Sequence, residues 1–464
     1  MKPTIKILDS IHSKANAEAR NLILPYLEYK SVFYKRTTFG KKQNIEAISH
    51  LITGRNGTGG TFYTGLIPYI KKQAKQDGIE LSIIGKIDKI TPLHKKPKLK
   101  GVTFRDYQYK AIKKFIRKQR GRVIIPTQAG KTFIACGIIH CFLNLRILFL
   151  QHTTDLLKQN SEELTKCDID HQILGGKNKV DWEYLQTKDS FVLLSTIQSL
   201  AKVPKEYWSV LFDFLIVDEL HHATKEKSQY GMIMQNCLAP LRLGLTATDP
   251  TEQYQKLVSE GFFGPILMDM SNKEGVDTGV LAKPIINLVP VPYETKIVNK
   301  CDKKYKLYQK YGISRNKSRN KLIVSLVQES LDNNEIVLII VENLEHGNIL
   351  KKMLGKKNIQ APFVQGMNDK DFNSKIKELM RSSEIKVCIC SKIWGEGISI
   401  HTLNHVILAC GMKERKKIKQ AVGRGQSKKG NKQTIKLSDM LDPYRYLAEH
   451  AIQRIQIYKE EGWL

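Results

Sequence analysis

Cysteine is sparse and badly spaced for chemistry. The eight cysteines, at 136, 141, 167, 237, 301, 388, 390 and 410, form no Cys-x-x-Cys pair and no zinc-finger array with histidine. Neither a structural zinc ion nor a secreted disulfide framework is expected, and a reducing compartment is. Long apolar runs are missing too. The longest, Ile134–Leu145 and Ile336–Val341, fall well short of the ~20 residues that cross a bilayer. Met1 to Lys6 lack the apolar core of a signal peptide, so the expected setting is cytoplasmic, with no membrane partner. Acidic residues are scarce: 45 Asp and Glu face 75 Lys and Arg, a net charge of +30. Such an excess implies an acidic partner, nucleic acid first, over a merely solubilising surface. Repeats and low-complexity tracts are absent. The 41% hydrophobic content is ordinary and excludes wholesale disorder. A chain of 464 residues makes roughly two to four domains.

The first hundred residues are basic, with 19 Lys and Arg against 7 Asp and Glu. Val32–Lys35 and Glu80–Ile84 read as short strands, and Leu66–Gln76 has helical apolar spacing. Residues 1–95 are therefore expected to form a small accessory α/β domain that binds DNA. It ends in a linker, Pro92–Gly101, carrying Lys95, Lys96, Lys98 and Lys100. From residue 102 short apolar runs alternate with helical segments: Arg122–Ile125, Arg146–Leu150, Phe191–Ser195, Asp213–Val217 and Leu241–Leu245. The pattern restarts at Glu335–Val341, Lys386–Cys390, Asn404–Ala409 and Gln433–Leu437. Buried parallel strands look like this, and alternation with helices implies βαβ units. Two α/β domains in tandem are expected, 102–290 and 291–464, joined through Lys283 to Asn320.

Several segments carry chemistry. Arg122 to Phe133 runs strand, tight loop, helix, with the loop Pro126-Thr127-Gln128-Ala129-Gly130-Lys131-Thr132. That order places backbone N–H groups and a helix N-terminus around a phosphate chain. Lys131 would reach the β and γ phosphates, and the Thr132 hydroxyl would ligate Mg²⁺. The strict phosphate-loop pattern fails at its first glycine, where Ile125 stands. A second apolar strand ends in Asp218-Glu219-Leu220-His221-His222. Asp218 would hold Mg²⁺ and Glu219 would orient or deprotonate water. Adjacent histidines point apart and no His-Glu-x-x-His motif is present, so zinc is not expected there. Thr246-Ala247-Thr248 closes another strand, and Gln420-Ala421-Val422-Gly423-Arg424 offers a charge-stabilising arginine from the second domain.

Taken in order, these segments resemble a superfamily 2 helicase: Tyr107-Gln108, the loop at 126–132, Asp-Glu-Leu-His at 218–221, Thr-Ala-Thr at 246–248, Gly-Glu-Gly-Ile-Ser at 395–399, and Gln-x-x-Gly-Arg at 420–424. The likeness is nearest to phage recombination helicases of the UvsW type. It rests on the replaced glycine, on Ser399 where wider relatives carry Asp, on the tail around Arg454 to Tyr458, and on Thr64 to Lys72. The resemblance implies two tandem RecA-like parallel-sheet domains that bind ATP and Mg²⁺ and act as a monomer. It implies 3′→5′ movement on forked, branched or junction DNA, with branch migration in replication, recombination and repair, in the host cytoplasm if phage-encoded. Duplex translocation without strand separation, RNA unwinding, and a DNA-binding or annealing module with a vestigial ATP site are the alternatives.

By the same resemblance Tyr107 and Gln108 would meet the adenine. Lys131, Asp218, Glu219, His221, Gln420 and Arg424 would carry catalysis, with Glu396 and Gly397 completing the nucleotide site. Thr246 and Thr248 would couple hydrolysis to movement. Gln128 replaces a usual small residue, and Ser427 stands where many relatives have a second arginine. Thr196 and Gln198 are candidates for DNA phosphate contact. Lys392 and Trp394 lie in the Gly-Glu-Gly loop, where Trp394 would stack on a base or pack. Phe62 and Tyr63 would either wedge a duplex junction or pack in a core. The run Lys413–Lys436 holds ten cations and one acid, which favours attraction to a nucleic-acid backbone.

Overall fold

The computed structural model describes residues 2–36, 42–55, 57–301, 304–366, 368–391, 400–427 and 432–464. The chain divides into two compact units, residues 1–125 with 130–269, and residues 126–129 with 270–464.

The first unit begins with a small sheet of β1 (Thr4–Ile7), β2 (His12–Ala15), β5 (Gly60–Tyr63) and β6 (Ser82–Ile84), in the order β5-β2-β1-β6. The pairings of β2 are antiparallel and β1–β6 is parallel. Between β2 and β5 lies a two-stranded antiparallel hairpin, β3 (Glu28–Arg36) and β4 (Lys42–His50). The helix Ile67–Gln76 buries Ile67, Ile70 and Ala74, a spacing of three and four residues. This N-terminal part shares a hydrophobic core with the large sheet that follows. Two glycines permit the contact. A methyl group on Gly65 would overlap the carbonyls of Glu260 and Gly261, and one on Gly261 would sit 2.8 Å from Tyr63 Cβ. The Tyr63 ring packs 4.7 Å from Phe262, and the hydroxyls of Tyr63 and Tyr254 both donate to Glu226.

The large sheet of this unit contains β7 (Arg120–Ile124), β8 (Arg146–Gln151), β9 (Gln172–Leu174), β10 (Phe191–Thr196), β11 (Phe214–Val217), β12 (Leu241–Thr246) and β13 (Ile266–Asp269). The order is β13-β7-β12-β11-β8-β10-β9, and every pairing is parallel. Strands β11 and β12 are buried throughout, which is why they read as unbroken apolar runs. The apolar stretch after residue 134 is the helix Lys131–Cys141, buried from Ile134 to Ile139. Among the described residues no helix is long and apolar enough to cross a membrane.

The second unit holds β14 (Lys283–Pro290), β15 (Val337–Ile340), β16 (Phe363–Val364), β17 (Val387–Cys390), β18 (His405–Leu408) and β19 (Thr434–Leu441). Their order is β14-β19-β18-β15-β17-β16, again parallel. Strand β14 pairs along its whole length with β19. The stretch expected to close the first domain thus builds the edge of the second sheet, and the units divide at 269/270. Two buried arginines pin helices to this sheet. Arg319 reaches Asp442 through Nε at 2.7 Å and Nη2 at 3.2 Å, and donates to the Ala409 carbonyl at 3.0 Å. Arg454 binds Asp439 through Nε at 2.8 Å and donates to the carbonyls of Met412 and Met440. Tyr458 adds a second donor to Asp439.

Candidate nucleotide site and nucleic-acid grip

The C-terminal edge of a parallel sheet is where its loops gather and where ligands bind. After β7 the Ile125 amide donates to the Thr246 carbonyl at 3.0 Å, tying the start of the loop to β12. Within the loop the Ala129 amide returns to the Pro126 carbonyl. Gln128 and Gly130 take the left-handed conformation, at φ 71° and 83°. At Gly130 a methyl group would also overlap the Gln108 amide, so glycine is needed there twice over. Gln128 carries a side chain in the same region of φ, a strain of roughly 1–2 kcal/mol. The helix then starts at Lys131 with no side-chain cap, so its first N–H groups remain for an anion.

Behind the loop the polar side chains form one connected array. The Thr132 hydroxyl donates to Asn160 Oδ1 at 3.0 Å. Asn160 Nδ2 donates to Gln151 Oε1 at 2.7 Å and to Asp218 Oδ2 at 3.2 Å. The Glu219 amide donates to Asp218 Oδ1 at 3.0 Å. Lys131 Nζ stands 3.9 Å from Glu219 Oε1. Asp218 is 6% exposed. Burial raises its carboxyl pKa, while Lys131 and the Asn160 hydrogen bond pull it down. Glu219 sits at φ 52°, which aims its carboxylate back over the strand end. His221 Nδ1 is 3.0 Å from Thr246 Oγ1 and 3.3 Å from Glu219 Oε2. Thr246 donates to the Thr248 carbonyl at 3.1 Å, which leaves a lone pair of its oxygen for His221 Nδ1. Gln108 accepts from the Arg105 amide at 3.0 Å, capping the helix Asp106–Lys118, and its own amide faces Gly130. Tyr107, half-buried, takes a bond from Arg105.

The donor set fits a nucleotide with Mg²⁺. One hydroxyl and one carboxylate, Thr132 and Asp218, converge on a single Asn amide. No group of three or more His, Cys, Asp or Glu that could hold a metal exists among the described residues. Mg²⁺ suits so lean a protein set, because it keeps water and phosphate as most of its ligands. Asn160, which binds Asp218 and Thr132 together, carried no signal in the sequence.

In the second unit Arg424 follows the helix Arg415–Gly423 and is 5% exposed. Its Nη1 donates to Cys390 Sγ at 3.7 Å, and its Nε has no hydrogen-bond partner among the described residues. Gln420 lies on the same helix, half-buried. Glu396, Gly397, Lys392 and Trp394 lie outside the described residues.

The nucleic-acid candidates fare unevenly. Thr196 is buried and spends its hydroxyl on Ser199, capping the helix Ile197–Leu200. Gln198 is exposed and donates to the His152 carbonyl at 3.3 Å. Phe62 and Tyr63, at 3% and 7% exposure, belong to the core, so packing is their role in this structure. Among the described residues, five cations of the basic run after residue 412 pair with neighbours. Arg415 pairs with Glu460 and Glu461, Lys417 with Glu414, Lys419 with Glu461, and Lys436 with Glu329. Lys432 donates to the carbonyls of Leu403 and Gly425, and burial pushes its pKa down to about 8. Exposed lysines gather instead on the linker, at 95, 96, 98 and 100, and on the helix Asp106–Lys118, at 110, 113 and 114. Both segments border the helix Lys131–Cys141: the His94 amide donates to the Cys141 carbonyl, and Ile112 lies against Gly137.

A phosphate loop backed by paired carboxylates at the edge of a parallel sheet defines a nucleotide-hydrolysing protein with RecA-like lobes. Comparison with known proteins narrows the class. Residues 101–251 match the family described as type III restriction enzyme, res subunit, and residues 318–427 match the helicase conserved C-terminal domain. The ATP-dependent DNA helicase uvsW of Enterobacteria phage T4 is 26% identical over 385 residues, 76% of this chain and 75% of that one. The DNA 3'-5' translocase XPB2 of Sulfurisphaera tokodaii is 26% identical over 362 residues, 71% of this chain and 79% of that one. The ATP-dependent Type ISP restriction-modification enzyme LlaBIII bound to DNA shares the fold with a TM-score of 0.58 at 17% identity. That match covers 83% of this chain and 32% of the larger enzyme. The chain belongs to the superfamily 2 helicases, and is an ATP-dependent helicase with two tandem RecA-like parallel-sheet domains.

Proposed function

We propose that this chain is an ATP-driven, Mg²⁺-dependent DNA helicase. It moves 3′→5′ and unwinds and branch-migrates forked or junction DNA as a monomer, in replication, recombination and repair. The observation that carries the reading is the array Thr132–Asn160–Asp218 with Lys131 against Glu219. When bound, a nucleotide with its cation supplies the scissile phosphoanhydride. The chain's own residues do the rest. Lys131 and the free N–H groups at its helix start hold the β and γ phosphates, while Thr132 and Asp218 hold the cation. Glu219, braced by His221, orients water, and Arg424 brings a guanidinium with an unspent donor from the second domain. The phage relative, known as a DNA helicase, and the archaeal one, known as a DNA translocase, support DNA as the substrate.

Lys131→Ala is expected to lower DNA-stimulated ATP hydrolysis by about a hundredfold or more, with DNA binding retained. Hydrolysis that survives in that variant refutes the site. A second reading, duplex translocation without strand separation, is favoured by the burial of Phe62 and Tyr63, which leaves that wedge unavailable. Strand displacement on forked against blunt duplexes separates the two, and comparing DNA with RNA as activators tests the substrate.

A further inference from the structure

The loop after the paired carboxylates carries a second histidine that the hydrolysis site does not use. While His221 turns toward Thr246 and Glu219, His222 lies flat on His152, with ring centroids 3.8 Å apart and planes 11° apart. Tyr230, from the helix Gln229–Asn236, closes the group. Its ring is 6.0 Å from both histidines, at 20° to His222 and 27° to His152, and its hydroxyl lies 3.3 Å from His152 Nδ1.

His152 is well placed to pass a displacement on. It follows directly on Gln151, the last residue of β8, which holds Asn160 and through it Asp218. Its own carbonyl accepts from Gln198, the exposed phosphate-contact candidate after β10. Three loops at one sheet edge therefore meet at this stack: the loop of the paired carboxylates, the loop after β8 and the loop after β10. The close, nearly parallel ring contact and the Gln198 hydrogen bond join residues 219–222 to His152 and Gln198.

We propose that the His222–His152 stack is the mechanical link between the hydrolysis site and the nucleic-acid grip, with His222 a positioning residue. The proposal rests on the reading of the chain as a DNA-activated ATPase. The test uses the full chain, ATP hydrolysis with and without single-stranded oligo-dT, and thermal melting as a check on folding. His222→Ala is expected to keep DNA-free hydrolysis within about twofold and to lose DNA stimulation by about tenfold, within the usual range of coupling between two sites. His222→Phe, which keeps a flat ring, restores most of the stimulation. His152→Ala removes the same stack from the other side, and the double variant should be no worse than either single. Full stimulation in His222→Ala overturns the link alone. So does a parallel fall of DNA-free and DNA-stimulated rates, or a folded His222→Phe that fails as the alanine variant does. An unaltered chain that DNA does not stimulate sinks the DNA-activated reading, and the link with it.

Discussion

Among the described residues three arginines are buried in the second domain, and they are not alike. Arg319 and Arg454 each meet a buried carboxylate and spend their remaining donors on backbone carbonyls. Arg424 has only the weak acceptor Cys390 Sγ, and its Nε is unspent. A buried guanidinium is costly unless paired, so the first two are fasteners, and the third is the one proposed to serve the nucleotide. The difference also reassigns the tail around Arg454. Its sequence looked like a family signature, and its structural use is to staple the helix Arg445–Glu460 onto β19.

The comparison can be broken in several ways. The largest effect is expected at Arg424→Ala, which should slow ATP hydrolysis by about 10³-fold or more if it acts as an arginine finger, with little loss of melting temperature. A large fall in melting temperature with hydrolysis per folded molecule unchanged would make it a third fastener. Arg319→Ala and Arg454→Ala should do the reverse. Each strands a buried carboxylate and should cost about 3–5 kcal/mol in denaturant unfolding; a loss well under that would show the pair is dispensable.

A smaller effect comes from acid. Burial pushes the pKa of His346 and of His405 down to about 3, with Arg319 acting on the first and Lys436 on the second in the same direction. Unfolded histidine titrates near ~6.5. Between those values the unfolded chain binds more protons, so stability falls as pH drops below ~6.5, by roughly 1.4 kcal/mol per pH unit for each residue. Urea unfolding between neutral and mildly acidic pH checks this, and His346→Gln should flatten the slope; an unchanged slope contradicts it. The smallest effect is expected at Arg415→Ala, whose side chain is 45% exposed and whose buried partner Glu461 keeps Lys419 at 3.1 Å. No resolvable change in melting is predicted there, and a shift as large as that of Arg454→Ala would erase the distinction between buried and surface pairs.

Much of the fold could be read ahead of the structure because parallel strands covered on both faces are unbroken apolar runs. β8, β10, β11 and β12 fall within a residue or two of their expected places. The strand Lys283–Pro290 was hidden, since it alternates, begins and ends beside proline, and lies at a sheet edge. The strands β1, β2 and β5 are only four residues long, too short for a period to show. In the site, Lys131, Thr132, Asp218 and Glu219 were legible because their order along strand, loop and helix is itself the chemistry. Asn160 was not, because a hydrogen bond between distant segments leaves no trace in spacing. The cation run after 412 also has carboxylate partners that spacing does not show: Glu329, Glu460 and Glu461 lie far along the chain.

The central claim is that fuel use in this chain answers to DNA structure. The most direct measurement is steady-state ATP hydrolysis by the purified chain alone, then with single strands, plain duplex, forks and four-way junctions at equal phosphate concentration. The account predicts slow turnover without DNA and the greatest acceleration on forks and junctions. Turnover that is the same with every DNA and with none would contradict it.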